Sequence, residues 1–307
     1  MLRPKGRTMA KKARAKTRKY EDILYEVKDQ IAWITINRPR VMNAFREQSL
    51  DEMIDAVKGT REDPSIAAIV FKGAGTEAFS AGGDFYAMKR LNWTNGAMWN
   101  DRMQGLAMAI RGVPIPVIAM VNGWCMGGGH ELALWCDLVI ASEKSMLGQT
   151  GAKVGACPTV GATQYLPRII GERLAREMIF CARRFTAKEA AAIGLINKAV
   201  PERDLLSETL KWCETIKGHS PQTIRMTKKG LNAESDNMYG AWQHGMELLA
   251  HVWGSEESLE GMNAFLEGRK PNFQKFRMKN KRELESYLDG CARDLNAPPS
   301  MRKKKRR

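Results

Sequence analysis

The chain has 307 residues, a mass of 34.5 kDa and an apolar fraction of 44%, so it can bury a large core as one large domain or two modest ones. This composition excludes wholesale disorder and a small disulfide scaffold. The formal charge of +15 would indicate a nucleic-acid-binding protein if the charge lay on the folded body.

The excess charge lies at the two ends of the chain. Residues 1–19 carry nine basic residues and no acidic one, and residues 302–307 are all basic. Without these tails, 34 basic residues balance the 34 acidic residues, so the body is formally neutral. Blocks of like charge are usually disordered. We therefore expect disordered tails, and nucleic-acid binding only as non-specific contact through them.

Six cysteines are scattered along the chain without a Cys-x-x-Cys pair or matching histidine spacing: Cys125, Cys136, Cys157, Cys181, Cys213 and Cys291. This pattern predicts reduced thiols in a cytoplasmic protein and no metal site. No apolar run is long enough to span a bilayer.

From residue 20 onward, strand and helix patterns alternate. Apolar runs predict strands over 23–28, 31–36, 66–71, 117–121 and 138–141, with a short strand near Phe79. Helical periodicity predicts helices over 47–57, 97–111, 128–136, 172–181, 187–193, 203–217, 221–231, 237–253 and 256–267. We therefore predict an α/β body over 20–200 and a helical region over 201–276. The polar extension 277–307 contains one short predicted helix over 281–288.

Two glycine clusters follow predicted strands. The first, Phe79-Ser-Ala-Gly-Gly-Asp84, comes after the strand at 66–71, and the second, Gly123-Trp-Cys-Met-Gly-Gly-Gly-His-Glu131, comes after the strand at 117–121. Glycines at such turns let a ligand approach the backbone closely. The turns could supply two N–H donors to one developing oxyanion, or they could serve tight chain packing alone. A dinucleotide-binding fingerprint fits less well, because the spaced third glycine is absent.

Together with two further segments, these clusters resemble the enoyl-CoA hydratase/isomerase (crotonase) superfamily, in the right order and over roughly residues 20–276. The further segments are Asn37-Arg-Pro-Arg-Val-Met-Asn-Ala44 and Ser255-Glu-Glu-Ser-Leu-Glu-Gly-Met-Asn-Ala-Phe265. The resemblance implies a spiral of ββα units, followed by a helical trimerisation region. It also implies a trimer or a dimer of trimers, and an acyl-CoA thioester as substrate, with no cofactor other than the coenzyme A of that substrate.

The resemblance assigns the oxyanion hole and the coenzyme A contacts. The backbone N–H groups of Gly83 and Gly128 would bind the thioester oxygen. Coenzyme A would lie along Arg38, Arg40, Met42 and Ala44, with Phe265 contributing from the C-terminal helix. Many relatives have a lysine between the glutamate and the arginine of the segment 267–270, where this chain has Gly268, so Arg269 or Lys270 would contact phosphate.

The same resemblance suggests a catalytic carboxylate and reveals a departure from the usual pair. Hydratases of this superfamily use two glutamates on one water; Glu131 matches the first, whereas Gly151 replaces the second. The segment Gly148-Gln-Thr-Gly-Ala-Lys-Val-Gly155 is similar to the branch that contains dihydroxynaphthoyl-CoA synthase and ring-opening hydrolases of cyclic oxo-acyl-CoA thioesters. The serine of the synthase is replaced by Ala156 and its late tyrosine, which a neighbouring subunit contributes, by Trp253.

These departures favour water chemistry over synthase chemistry. The leading hypothesis is hydration of an unsaturated, cyclic or bulky acyl-CoA, which hydrolytic C–C ring cleavage could follow, with Glu131 as general acid and base. Tyr86 and Thr159 are further candidates for contact with the acyl group. The alternatives are a synthase-like enzyme that forms a C–C bond and a non-catalytic acyl-CoA-binding protein.

Overall fold

The computed structural model describes residues 19–296, with side chains up to Cys291. The disorder predicted for residues 1–19 and for the basic C-terminus therefore falls almost wholly outside the described residues. The strands are β1 (Ile23–Lys28), β2 (Ile31–Ile36), β3 (Ala68–Gly73), β4 (Ala78–Ser80), β5 (Val117–Val121), β6 (Trp124–Met126), β7 (Leu138–Ser142), β8 (Met146–Gly148), β9 (Arg184–Thr186) and β10 (Lys198–Val200).

The helices are α1 (Glu47–Gly59), α2 (Phe85–Met88), α3 (Trp93–Gly112), α4 (Gly128–Trp135), α5 (Gly151–Val154), α6 (Ala162–Phe180), α7 (Ala187–Ala192), α8 (Leu205–Lys217), α9 (Pro221–Asp236), α10 (Tyr239–Val252), α11 (Glu256–Leu266) and α12 (Gln274–Asn296). A polar side chain accepts N–H bonds from the first turn of several of them: Asn92 in α3, Thr186 in α7, Ser220 in α9 and Ser255 in α11. None of the helices within the described residues is long and apolar enough to cross a membrane.

The strands form two sheets. The larger has the order β1-β2-β3-β5-β7-β10, in which only the β1–β2 pair is antiparallel. The smaller has the order β4-β6-β8-β9, with β8 and β9 antiparallel. Three times along the chain, a strand of the larger sheet is followed by a strand of the smaller sheet and then by a helix. The strand pairs are β3-β4, β5-β6 and β7-β8. This repetition is the predicted spiral of ββα units.

The main core lies between the sheets and the helices, and a second apolar cluster lies between the larger sheet and α8. Near-continuous apolar strands such as β5, which is fully buried, are expected where a parallel sheet is covered on both faces. In the helical C-terminal region, α10 packs back against α3. That region therefore helps to build the site described below.

Several sequence predictions need correction. The strand predicted over 66–71 lies at Ala68–Gly73, because Ile66 is buried in the preceding turn, and burial rather than extension explains its apolar character. Helix α6 begins ten residues before the predicted start at 172, with a break at Gly171, where φ is 77°. The short helix predicted over 281–288 is part of α12, which crosses the predicted boundary at 277.

Four short strands were not predicted from the sequence. Strands β6, β8, β9 and β10 have three residues each, too few for a period-2 pattern to be recognised. The second glycine cluster consequently does not run directly from strand to helix, since β6 lies between β5 and α4. All six cysteines lie within the described residues and are free thiols, as predicted.

Candidate active site

The two glycine turns meet at one edge of the smaller sheet. Strands β4 and β6 are parallel neighbours, so their carboxyl ends lie side by side. A Cβ atom on Gly82, where φ is 97°, would come within 2.9 Å of the Gly128 nitrogen. A Cβ atom on Gly129 would come within 2.3 Å of the Ser80 carbonyl oxygen. Both turns need glycine, because only bare backbone fits between them.

The N–H groups of Gly83 and Gly128 are available to a ligand. On either side of Gly83, the Phe45 N–H donates to the Gly82 carbonyl and the Asp84 N–H donates to the Phe45 carbonyl. The N–H of Gly83 takes part in neither of these hydrogen bonds. Gly128 is the first residue of α4, and the first N–H groups of a helix have no acceptor within that helix. Both glycines line the same small cavity, where they can donate to one oxygen atom.

That cavity, which we call the inner pocket, has a volume of about 70 Å³ and mostly apolar walls. Its lining residues are Phe45, Gly83, Met88, Trp99, Met103, Gly127, Gly128, Glu131, Gln149, Gly151, Ala156, Cys157, Pro158, Val160, Leu249 and Trp253. Among them Glu131 alone carries a carboxyl group. The structure therefore brings together six of the predicted site residues: Gly83, Gly128, Glu131, Gly151, Ala156 and Trp253.

Glu131 lies in the first turn of α4 and is 4% exposed. Burial raises the pKa of Glu131 to about 8 from its ordinary value of 4.5, although the backbone N–H groups of Ala162 and Val160 favour the charged form. The Ala162 nitrogen lies 3.3 Å from Glu131 Oε1. A carboxyl group with a pKa near neutrality can both accept and donate a proton at physiological pH.

Gly151 occupies the position at which the resemblance places a second carboxylate, and the surrounding loop leaves no room there for a side chain. A Cβ atom on this residue would lie 2.4 Å from the Ala156 carbonyl oxygen. The Ala156 N–H in turn donates to the Gly151 carbonyl at 3.0 Å, which fixes the loop across the short helix α5. Any side chain at position 151 would require this loop to move.

Trp253 forms part of the pocket of its own chain. Its indole N–H donates to Asn100 Oδ1 at 3.1 Å, and Asn100 Nδ2 donates to the Met246 carbonyl at 2.9 Å. The indole packs on Gly96, where a Cβ atom would lie 2.2 Å from Trp253 Cδ1. The ring is therefore held as a fixed wall by α3 and α10.

Two other acyl-site candidates lie outside the inner pocket. Thr159 is buried, but its carbonyl and Cβ pack against Gly245 of α10 rather than line the pocket. Tyr86 is 65% exposed and lines a second cavity, which we call the outer cleft.

The outer cleft has a volume of about 510 Å³ and lies next to the inner pocket, with Gly83 lining both. Of the predicted coenzyme A contacts, Met42, Ala44 and Phe265 line it. Phe265 packs edge-on against Phe85, with ring centroids 4.9 Å apart.

The cations of the outer cleft are not the predicted ones. Within the described residues, Lys153 and Arg184 line it, and the Arg184 guanidinium lies over the Trp124 ring at 5.3 Å. Arg184 could not be placed from the sequence, because its position depends on the antiparallel pairing of β9 with β8.

Two of the three predicted arginines have carboxylate partners. Arg38 Nη2 lies 2.9 Å from Asp84 Oδ2, which ties Arg38 to the residue after Gly83. Arg269 pairs with Glu260 and Glu267, both at 2.6 Å. Arg40 and Lys270 are exposed. Arg38 thus supports the first glycine turn, and Arg269 supports the connection between α11 and α12.

The described residues contain no cluster of three or more His, Cys, Asp or Glu side chains that could hold a metal ion. The inner pocket combines one buried carboxyl group with two glycine turns in mostly apolar surroundings.

Comparison with known proteins agrees with this fold. The sequence model of the enoyl-CoA hydratase/isomerase family matches residues 26–277. An enoyl-CoA hydratase from Mycobacterium avium subsp. paratuberculosis K-10 is 27% identical with a TM-score of 0.76, over 83% of this chain and 99% of that one. An enoyl-CoA hydratase/isomerase from Xanthobacter autotrophicus Py2 is 31% identical with a TM-score of 0.75, over 81% and 94%. A methylmalonyl-CoA decarboxylase in complex with 2-nitronate-propionyl-CoA is 29% identical with a TM-score of 0.73, over 83% and 99%.

Proposed function

The chain belongs to the enoyl-CoA hydratase/isomerase family, and from that premise we propose that it adds water to the double bond of an unsaturated, cyclic or bulky acyl-CoA. One observation carries the proposal: the only carboxyl group lining the inner pocket, that of Glu131, shares this pocket with the glycine turns of Gly83 and Gly128. A base, an apolar acyl site and two donors for a thioester oxygen are the groups that conjugate addition of water requires.

The reaction proceeds through an enolate. Water attacks Cβ while its proton passes to the Glu131 carboxylate, and the electrons of the Cα=Cβ bond move onto the thioester oxygen. The N–H groups of Gly83 and Gly128 stabilise that oxyanion, each by about 3 kcal/mol. Glu131 then returns the proton to Cα, which yields a 3-hydroxyacyl-CoA and restores the carboxylate.

Coenzyme A enters as part of the substrate, so the proposal requires no resident cofactor. The outer cleft, with a volume of about 510 Å³, is the proposed site of the pantetheine chain, and Lys153 and Arg184 supply positive charge to it. The cleft meets the inner pocket at Gly83, which is where the thioester would lie.

The preference for a ring rests on the segment around Gly151 and on the two indole rings that line the pocket. Trp99 and Trp253 offer flat walls, whereas the volume of about 70 Å³ accepts a ring only when flexible side chains such as Met88 shift. If the hydrated ring carries an adjacent oxo group, a second water can cleave a C–C bond and release a carboxylate.

Synthase-like C–C bond formation has less support. It would use the space beside Gly151, into which the Ala156 carbonyl projects. The N–H of Trp253 is already engaged by Asn100, and an indole has no acidic O–H to offer.

We further propose that the chain assembles as a trimer or a dimer of trimers through its C-terminal helices. Large apolar side chains of α9 and α10 are exposed: Met226 at 66%, Leu231 at 76%, Tyr239 at 51% and Leu248 at 49%. Exposed apolar groups on neighbouring helices are typical of an association surface. Light scattering of the purified chain tests this, and a monomer at micromolar concentration would contradict it.

The proposed activity is tested with a panel of linear and cyclic enoyl-CoA and oxo-acyl-CoA thioesters in water enriched in heavy oxygen, with product analysis by mass spectrometry. Heavy oxygen in an alcohol is the expected result for hydration, and heavy oxygen in a new carboxylate indicates ring cleavage. Turnover without heavy oxygen would overturn the proposal, as would binding of the whole panel without any turnover.

A further inference from the structure

Gln149 is a buried polar residue of the inner pocket to which the mechanism above gives no role. It follows β8 directly, is 1% exposed and lines the pocket together with Glu131 and Gly151. Its carboxamide has two donor hydrogens and an acceptor oxygen, and all need partners when they are buried.

The orientation of this amide follows from its neighbours. Gln149 Nε2 lies 3.3 Å from the Gly127 carbonyl oxygen and 3.0 Å from His130 Nδ1. A carbonyl oxygen only accepts hydrogen bonds, so the amide nitrogen must face Gly127, and the reversed amide would place two oxygens against each other. His130 Nδ1 therefore accepts, and its proton resides on Nε2.

The state of His130 agrees with this assignment. Burial lowers the pKa of His130 to about 4, so the ring is neutral at physiological pH and retains one nitrogen as an acceptor. Both amide hydrogens of Gln149 are thus used within the chain, and they hold the turn that presents Gly128.

The oxygen of the same amide remains without a partner. Gln149 Oε1 is buried and accepts no hydrogen bond from any described residue. A buried acceptor without a partner destabilises the folded chain. Because the nitrogen is directed at Gly127 and His130, the oxygen is on the other side of the amide, in a residue that lines the inner pocket.

We propose that Gln149 Oε1 accepts a hydrogen bond from the reacting water and holds that water next to Glu131. Gln149 thereby orients the water, which is one of the two tasks of the second carboxylate in two-glutamate hydratases; the other task is proton transfer. An amide oxygen accepts a hydrogen bond but takes no proton near neutral pH. One water hydrogen therefore stays hydrogen-bonded to Gln149 Oε1, and the other passes to the Glu131 carboxylate as the water oxygen attacks Cβ. This assignment rests on the proposed function, since it requires that water be added.

The test separates water addition from enolisation, which uses Glu131 and the glycine turns but no attacking water. Gln149→Met removes the acceptor at similar size, and Gln149→Glu keeps an oxygen directed at the pocket. Each variant is assayed for water addition to the best enoyl-CoA of the panel. Each is also assayed for exchange of the α-hydrogens of a saturated acyl-CoA with deuterium oxide.

We expect Gln149→Met to lose at least about 10-fold more in water addition than in α-hydrogen exchange, because loss of the amide hydrogens that hold the Gly128 turn affects both reactions, whereas loss of the acceptor affects only water addition. Gln149→Glu, which also lacks the amide hydrogens, should recover part of that difference. Retained exchange also shows that the variant is folded with an intact oxyanion hole. An equal loss of both reactions in Gln149→Met, or equal water addition in the Met and Glu variants, would overturn the proposal. If the wild type exchanges α-hydrogens but adds no water, the proposed function itself is wrong, and the role of Gln149 is wrong with it.

Discussion

Burial and catalysis favour opposite protonation states of the Glu131 carboxyl group. Burial favours its neutral form, whereas removal of a proton from water requires the carboxylate. With Gly151 in place of a second carboxylate, none of the other described residues that line the inner pocket has an acidic side chain to share the task. The pH dependence of catalysis should therefore follow this ionisation, which should also contribute to the pH dependence of stability.

Water addition should accelerate with pH. We expect kcat/KM for hydration to rise from about pH 6 and to level off above about pH 8, because the fraction of free enzyme with ionised Glu131 rises over that interval. Initial rates at low substrate concentration across this range give the profile. A flat profile would show that ionisation of Glu131 does not limit the reaction.

The same ionisation should affect stability in the opposite direction. A carboxyl whose pKa is raised on folding binds its proton more tightly in the folded state, so the stability it contributes is lost as the pH rises from about 4.5 to about 8. We expect Glu131→Gln to be more stable than the wild type above about pH 8, by on the order of 2 kcal/mol, and to differ little near pH 4.5.

Urea unfolding of wild type and Glu131→Gln at both pH values measures this difference. Glu26→Gln, at an exposed position on β1, controls for the loss of a carboxyl group from the surface. A free-energy difference that is the same at both pH values would contradict the burial of an ionisable Glu131.

At the scale of elements, the acyl site depends on how α10 and the following Trp253 meet α3. Trp253 lies on Gly96, and the Asn100 side chain bonds both the indole and the carbonyl of Met246. The contact brings together residues about 150 positions apart, so sequence patterns cannot reveal it.

Gly96→Ala should disrupt this contact. Its Cβ would lie 2.2 Å from the indole, so the ring or the helix must shift, and we expect a loss of about 1–3 kcal/mol in the free energy of unfolding. Gly105→Ala in the same helix is the matched control, because its nearest neighbour is Ile54 Cδ1 at 3.4 Å. Equal effects of the two substitutions on urea unfolding would refute the close packing of Trp253.

The elements also show what the sequence could predict. Periodicity predicted the long strands and most helices, and the motifs predicted the glycine turns and Glu131, because these signals lie in neighbouring residues. Arg184 reaches the outer cleft through strand pairing, and the role of Gln149 depends on which of its amide atoms remains unpaired. Such features arise only from the three-dimensional arrangement.

At the scale of the whole molecule, the net charge and the site are separate properties. The formal charge of +15 is carried by residues 1–19 and 302–307, while the remaining body is neutral. All the described residues that line the inner pocket and the outer cleft belong to that body.

Removal of both tails should therefore separate polyanion binding from catalysis. We expect a chain of residues 20–301 to lose salt-sensitive retention on an immobilised polyanion and to keep the wild-type kcat/KM with acyl-CoA. Retention that survives removal of the tails would locate a basic surface on the body. A large loss of kcat/KM would instead give the tails a part in substrate binding.

The central claim, that Glu131 transfers the proton during water addition, is tested most directly by comparing wild type and Glu131→Gln with the best enoyl-CoA substrate in heavy-oxygen water. The account predicts labelled alcohol from the wild type, at least about 100-fold less from the variant, and similar affinity of both for the acyl-CoA. Equal rates of label incorporation by the two proteins would contradict it.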